Sequence, residues 1–243
     1  MTEDIPEQPL CLLAFDAAGR SCSAAVQRGG VILAEAHEAM NRGQAERLVP
    51  MIEEVLAEAG LPHGALDALA VTVGPGAFTG VRICLAAARG YGLALGIPQI
   101  GVTCFEAVAE ATSAEERQGR RLLVLLDAKR ADLYAQLYDE DLTPLGEPFT
   151  ALPEELGSRL AVLRPTDQRP LLLAGDGVDQ ALEALAGLAP ERSPAAGVRA
   201  SALARAALRK PWPAEDAALP GPLYLRPPDV TLPKAAPRVR GAG

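Results

Sequence analysis

Two segments of the sequence resemble each other, and this similarity constrains the fold more than any other feature. LLAFDA (residues 12–17) and LLVLLDA (residues 122–128) both have the pattern of a buried strand that ends in Asp-Ala. A second strand-like run follows the later copy after an acidic turn. Similarity within one chain indicates an internal duplication. The sequence therefore predicts two related halves, each built on a buried strand with an acid at its end.

In the first half, the residue pattern predicts strands followed by a helix. Two β-prone runs joined at Gly29-Gly30 come after the first strand, and this dipeptide is a hairpin signal. A helix is predicted next because apolar residues recur at intervals of three and four, with Asn41 and Gln44 as a capping box. The recurring residues are Ala45, Leu48, Val49, Ile52, Val55, Leu56 and Ala59.

The remaining elements complete an alternating pattern. LDALAVTV is a buried strand, a helix is predicted from about Val81 to Leu95, and the strand QIGV follows. This order predicts an α/β protein with the two-lobe, duplicated ribonuclease-H-like architecture of actin-like (ASKHA) proteins. We expect an N-terminal actin-like lobe over residues 9–110 and a smaller C-terminal lobe over 111–210. A Pro-rich extended tail is expected over 211–243, partly disordered beyond Asp229.

Composition argues against several classes of protein. Apolar residues make up 49% of the 243 residues, enough for a sizeable core. The net charge of −8 argues against a stand-alone nucleic-acid binder, although RNA is reachable where a partner supplies positive charge. The acidic start, MTEDIPEQPL, lacks a signal-peptide pattern and no apolar run is long enough for a membrane, so we expect a cytoplasmic protein without membrane contact. Four cysteines without a C-x-x-C pair predict buried free thiols.

The loop VGPGAFTGVR (residues 73–82) fails two tests for a phosphate loop. A Walker loop requires a lysine and a hydroxyl after its last glycine, but Val81 and Arg82 follow Gly80. A dinucleotide fingerprint starting at Gly74 has Gly76 in third place but Thr79 in sixth. Two interpretations stay open. The free amides of a helix N-terminus could hold an anion, or Thr79 caps the helix and the glycines make turns.

Catalytic and metal chemistry have little support. The two histidines, His37 and His63, are far apart, so neither a zinc site nor a histidine-based nucleophile system is expected. Asp16 and Asp127 are the best acid candidates because each ends a predicted strand. In an actin-like cleft such acids can hold Mg²⁺ through water, or they accept backbone hydrogen bonds. DAKRADLY, after the second strand, contains no glycine for a second phosphate loop.

Several blocks together resemble the TsaB (formerly YeaZ) family of bacterial tRNA threonylcarbamoyladenosine (t6A) biosynthesis proteins. GPGAFTGVRICLAAARGYGLALGIPQIGVTCFEAVA looks like the hallmark segment of that family. AFDAAGRSCSAAV, QAERLVPMIEEVLAEAG and LDAKRADLYAQLYD resemble its other blocks in the same order. PLYLRPPDV looks like its C-terminal signature.

The resemblance implies a function without catalysis by this chain. It implies a non-catalytic paralogue of the catalytic subunit TsaD, which transfers threonylcarbamoyl to N6 of adenosine 37 in tRNAs that read codons starting with A. The implied partners are a TsaD-like subunit, a TsaE-like ATPase and, when the chain is alone, a second copy. It implies tRNA contact only through the complex, no intrinsic cofactor or metal, and any ATP or ADP with Mg²⁺ at the complex interface. Relatives carry an M22 glycoprotease label, which nothing in the sequence supports.

The resemblance also implies a partner surface on the first two helices. Gln44 departs from the family, since many relatives have histidine there. We expect Leu48→Arg or Ala86→Arg to break partner association with the fold intact. The residues assigned to this surface are Leu48, Met51, Ile52, Val55, Leu85, Ala86, Arg89 and Leu93.

A second hypothesis from another class is an actin-fold small-molecule kinase or ATPase. It would use Asp16, Asp127 and the loop from Gly74 to Gly80. Binding and hydrolysis of ATP with Mg²⁺ by the purified chain, lost on substitution of Asp16, would distinguish it from a scaffold.

Overall fold

The computed structural model describes residues 9–163, 166, 168–214 and 217–226. Residues 1–8 of the acidic start and the tail predicted to be disordered beyond Asp229 lie outside the described residues. Within the described ranges the first half forms a five-stranded sheet and three helices. The elements are β1 (Cys11–Asp16), β2 (Ser21–Arg28), β3 (Val31–Ala39), α1 (Gln44–Glu58), β4 (Ala68–Thr72), α2 (Phe78–Leu95), β5 (Gln99–Val102) and α3 (Cys104–Ala111). The strand order in the sheet is β3-β2-β1-β4-β5.

The second half repeats this arrangement. Its elements are α4 (Ala114–Arg117), β6 (Arg121–Asp127), β7 (Leu133–Tyr138), β8 (Phe149–Ala151), α5 (Leu156–Leu163), β9 (Leu171–Ala174), α6 (Val178–Leu185), β10 (Glu191–Arg192) and α7 (Ala200–Leu208). The sheet order is β10-β9-β6-β7-β8. β1 is antiparallel to β2 and parallel to β4, and β6 is likewise antiparallel to β7 and parallel to β9. The duplication predicted from the two Asp-Ala strands is therefore confirmed.

Both faces of strand β6 carry buried apolar residues, so the strand lies between two cores. Leu122 and Val124 face the core of the first lobe, whereas Leu123 and Leu125 face that of the second. Helix α7 also contributes Leu203 to the first core. It packs on α3 and on the strands of the first sheet. The sequence-based boundary at residue 210 had assigned this helix to the second lobe, and that assignment is wrong.

Helices α1 and α2 begin at different residues from those predicted. Gly43, with φ of 90°, is the N-cap of α1 and no side chain caps the helix. The predicted Asn41–Gln44 capping box is therefore absent from the described chain. The side-chain amide of Gln44 instead donates, through Nε2, to the carbonyl oxygen of Met40 at 3.3 Å. Helix α2 starts three residues before Val81, at Phe78.

The predictions for the Gly29-Gly30 hairpin and for the cysteines are confirmed. Gly29 and Gly30 have φ of 55° and 86°, which only glycine adopts easily, and they close the β2–β3 hairpin. Thr103 and Glu106 form a reciprocal capping box at α3. The four cysteines are free and buried.

Residues 217–226, which we call the C-terminal strap, run back over both lobes. The Leu223 amide donates to the Val73 carbonyl at 2.7 Å, and Leu223 and Leu225 pack on the first core. Arg226 forms an ion pair with Asp132 of the second lobe. The strap therefore contacts the glycine-rich loop through Leu223 and the β6–β7 turn through Arg226. Across the described ranges, no helix has the length and apolarity needed to cross a membrane.

Candidate functional site

The two predicted acids line one cavity between the lobes. Asp16 ends β1 and Asp127 ends β6, and the equivalent positions of these strands bring both side chains to the same cleft of about 500 Å³. Asp176, from the turn after β9, lines it as well. The carboxyl ends of the central strands of a duplicated sheet thus converge, as the sequence predicted.

Asp16 lies at the bottom of the cleft with 0% of its surface exposed. Its Oδ1 accepts hydrogen bonds from Thr72 Oγ1 at 2.6 Å and from the Ala18 amide at 3.0 Å. Its Oδ2 has no partner among the described residues. Burial raises the pKa of Asp16 to about 6, because the loss of water disfavours the charged form more than these hydrogen bonds favour it.

The carboxylate of Asp127 forms ion pairs with two basic side chains. Arg20 of the first lobe lies 3.1 Å from its Oδ2, and Lys129 Nζ lies 3.0 Å from the same oxygen. Partial burial works to raise the pKa of Asp127, but the hydrogen bonds and charge of Lys129 outweigh it, so the pKa lies below its ordinary value. Lys129 Nζ also lies 3.8 Å from Asp176 Oδ2. Burial raises the pKa of Asp176. The Arg20–Asp127 pair joins the two lobes across the cleft, whereas both pairs of Lys129 lie within the second lobe.

The cleft does not fit a Mg²⁺-nucleotide site formed by this chain alone. Mg²⁺ requires carboxylate oxygens that are free to face it or its waters. Asp127 is neutralised by Arg20 and Lys129, and Asp16 offers only the buried Oδ2. Within the described ranges, no group of three His, Cys, Asp or Glu side chains could hold a metal ion.

Arg20, Lys129 and Asp176 were missed by sequence reasoning. Arg20 and Lys129 lie in the turns after β1 and β6, and a comparison of the two Asp-Ala repeats would have shown a cation two to four residues after each acid. Only the duplication equates the turn of Asp176, which follows β9, with the glycine-rich loop that follows β4.

The glycines of the loop from Gly74 to Gly80 allow the chain's own backbone to approach. A Cβ at Gly76 would lie 2.5 Å from the Ala18 carbonyl oxygen, and one at Gly80 would lie 2.1 Å from that of Ala17. Gly74 has φ of 103°, and its Cβ would lie 2.9 Å from the Leu223 carbonyl oxygen. The β1–β2 turn and the strap occupy this space. Anion binding by the loop stays a prediction.

Thr79 does not cap α2. The N-cap is Ala77, no side chain caps the helix, and Thr79 is an exposed residue of the first turn. The cap predicted for Thr79 is therefore wrong, because the helix begins one residue before it rather than after it.

Five of the eight predicted partner residues are wrong as contact residues, because they are buried inside their own lobe. The hydrophobic stripe of α1 faces β2, β3 and α2, and Leu85 faces the same core. Side chains without exposed surface cannot reach a partner. The five residues are Leu48 (1% exposed), Met51, Ile52, Val55 and Leu85 (4%).

The other three lie on an exposed face of α2. Ala86 and Arg89 are exposed, and 88% of the Leu93 surface is exposed. Val49, on the neighbouring face of α1, is 46% exposed. Glu53 of α1 accepts a hydrogen bond from Tyr91 of α2 at 3.1 Å, which fixes the two helices side by side. We call the exposed residues of these neighbouring helices the α1/α2 face: Val49, Ala86, Arg89, Gly90 and Leu93.

We expect Asp16→Asn to change how stability depends on pH. The pKa of Asp16 is about 6 in the folded chain and about 3.9 in an unfolded one. Between these values the folded chain holds a proton that the unfolded chain has lost, so the free energy of unfolding falls as pH rises. Asparagine does not titrate. The variant should gain about 2 kcal/mol relative to the parent between pH 4 and pH 7.

Urea unfolding of both proteins from pH 4 to pH 7 measures this difference. A constant offset from the new amide group leaves the pH-dependent part unaffected. A difference that does not vary with pH would show that Asp16 titrates alike in both states.

Two sheets of identical topology around one cleft define a two-lobe actin-like (ASKHA) protein, as predicted. Residues 20–166, more than half of the chain, match the family described as TsaD, tRNA N6-adenosine threonylcarbamoyltransferase. The chain belongs to the TsaB (YeaZ) family, a relative of TsaD.

Individual proteins support this membership. A protein of Mycobacterium tuberculosis (strain ATCC 25618 / H37Rv) described as uncharacterized is 35% identical over 222 residues, 90% of this chain and 93% of that protein. The tRNA threonylcarbamoyladenosine biosynthesis protein TsaB of Escherichia coli K12 is 33% identical over 130 residues, 54% of this chain and 55% of that protein. A Pseudomonas aeruginosa crystal structure, described as similar to peptidase YeaZ, superposes with a TM-score of 0.73 at 30% identity. The match covers 89% of this chain and 100% of that one.

Proposed function

We propose that the chain is a non-catalytic subunit of the machinery that installs threonylcarbamoyl on N6 of adenosine 37 in tRNAs that read codons starting with A. The pathway is supported by the similarity to the E. coli protein named for t6A biosynthesis. One observation carries the non-catalytic assignment: the cleft acid Asp127 is neutralised by Arg20 and Lys129 of the same chain. The chain would act in the cytoplasm, as partner of a TsaD-like transferase.

The α1/α2 face is the proposed contact with the transferase and, when the chain is alone, with a second copy. Ala86 and Gly90 are small enough for another helix to approach closely, and Leu93 provides apolar area. A TsaE-like ATPase would bind the resulting pair. ATP or ADP with Mg²⁺ is proposed at the junction of subunits, because the carboxylates inside this chain do not fit it.

Depletion of the chain should lower t6A in total tRNA in proportion to the protein lost. Nucleoside mass spectrometry measures t6A against an unrelated modified nucleoside as the internal control. Re-expression of the parent chain should restore t6A, whereas Ala86→Arg should not. Unchanged t6A after depletion would contradict the proposal.

The kinase or ATPase alternative is less well supported by the cleft. It requires Asp16 and Asp127 to face a metal, yet Asp127 is paired with cations and Asp16 is buried. Hydrolysis of ATP by the purified chain with Mg²⁺, abolished in Asp16→Asn, would favour the alternative over the scaffold.

A further inference from the structure

A groove beside the C-terminal strap combines arginines with aromatic rings. It measures about 300 Å³ and lies between the start of α2, the strap and the β6–β7 turn. We call it the aromatic-arginine groove. The side chains that define it are Phe78, Arg82, Arg130, Tyr134, Tyr224 and Arg226.

The aromatic rings form an exposed stack. Phe78 and Tyr224 have ring centroids 5.5 Å apart with planes inclined by 28°. The Arg82 guanidinium carbon lies 3.7 Å from the centroid of Phe78, and its Nε donates to Tyr224 Oη at 3.4 Å. Phe78 remains 48% exposed and Tyr224 42% exposed. Large aromatic rings held rigidly at this exposure provide flat faces for another ring.

The charge of the groove is opposite to that of the chain. Three arginines line it and, among the described residues of its lining, none is acidic, although the chain carries a net charge of −8. The nearby carboxylate of Asp132 is neutralised by Arg226, which also lies 5.7 Å from the centroid of Tyr134. Arg82 and Arg130 are exposed. An anion would therefore meet positive charge along this groove.

We propose that the aromatic-arginine groove binds unpaired nucleotides of an RNA, which, on the proposed function, belong to the tRNA substrate. Bases stack on the exposed ring of Tyr224, and the phosphates lie against Arg82 and Arg130. Single-stranded nucleic acid is bound by this combination of stacking faces and positive charge. An acidic peptide would match the charge but leave the aromatic faces unused. Because the chain is acidic overall, the groove adds to the field of a positively charged partner rather than replacing it.

Loss of either component should weaken RNA binding in its own way. Tyr224→Leu should weaken binding of a fluorescein-labelled tRNA transcript roughly tenfold, because a base loses its stacking face. Arg82→Ala combined with Arg130→Ala should reduce the slope of log K against log salt concentration by about 1.4, since each phosphate contact with a single strand contributes about 0.7. Fluorescence anisotropy measures both, with the full chain alone and mixed with an equimolar amount of the transferase.

Matched variants separate these effects from damage to the fold. Tyr224→Phe retains the ring and should bind RNA like the parent. Arg42→Ala combined with Arg159→Ala removes the same charge from exposed positions outside the groove and should keep the salt slope. Heparin, a polyanion without bases, should respond to loss of the two groove arginines but not to Tyr224→Leu. Thermal unfolding checks that each variant is folded.

Several outcomes would overturn the proposal. These are absence of saturable RNA binding both alone and in the mixture, variants that bind like the parent, or an equal effect of Tyr224→Leu on heparin and RNA. Binding of an acidic peptide in place of RNA would also overturn it. If depletion of the chain lowers t6A but the groove variants bind RNA normally, the groove assignment fails and the proposed function stands. If depletion leaves t6A unchanged while the groove variants lose RNA binding, the proposed function fails alone.

Discussion

Leu48→Arg should unfold the first lobe, whereas Ala86→Arg should leave it folded and prevent association with the transferase. Leu48 is 1% exposed in the core beneath α1, and an arginine there would be a buried charge without a partner. Such a change costs more than about 4 kcal/mol, a large part of the stability of an ordinary domain. Circular dichroism, thermal unfolding and soluble yield of the isolated chain measure this loss.

Ala86 lies on the exposed side of α2, where an arginine reaches water at little cost to the fold. On the proposed interface, its bulk and charge would keep the helices of the two subunits apart. Co-purification with the tagged transferase and sedimentation of the isolated chain should both show loss of association. Ala184→Arg, at an exposed helical position of the second lobe, is the matched control and should associate normally. Normal association of Ala86→Arg would place the interface elsewhere.

The contrast between these two residues shows what hydrophobic periodicity can determine. The three-and-four spacing of Leu48, Ile52 and Val55 correctly predicts a helix with one apolar face. The same spacing arises whether that face meets the chain's own sheet or another subunit. Burial decides between them, and burial depends on the contacts of α1 with β2 and β3, which no local pattern contains.

The site was predictable where it depends on strand ends and not where it depends on side chains from different lobes. Asp16 and Asp127 end equivalent strands, so the duplication alone places them in one cleft. The ion pair of Arg20 with Asp127 joins residues 107 positions apart and depends on how the lobes close. Helix α7 was misassigned for the same reason, because sequence order places it after the second sheet while its apolar face fits the first.

Gly80→Ala should destabilise the chain by about 3 kcal/mol, whereas Gly90→Ala in the same helix should stabilise it by about 1 kcal/mol. The new methyl group at position 80 would lie 2.1 Å from the backbone oxygen of Ala17, and this clash forces the β1–β2 turn or α2 to move. At position 90 no atom lies within 4 Å of the added methyl, so only the helix preference of alanine remains. Urea unfolding of the isolated chain at pH 7 measures both changes.

The Gly80→Ala variant also distinguishes two roles for the loop from Gly74 to Gly80. If its glycines serve the close approach of the Ala17–Ala18 backbone, phosphate should leave the melting temperature of the parent chain unchanged, and Gly80→Ala should lower it equally with and without phosphate. If instead the helix amides bind an anion, millimolar phosphate should raise the melting temperature of the parent, and Gly80→Ala should abolish that rise. The Ala77 amide already donates to the Ala18 carbonyl at 2.8 Å. Because that amide is satisfied within the chain, we expect the first result.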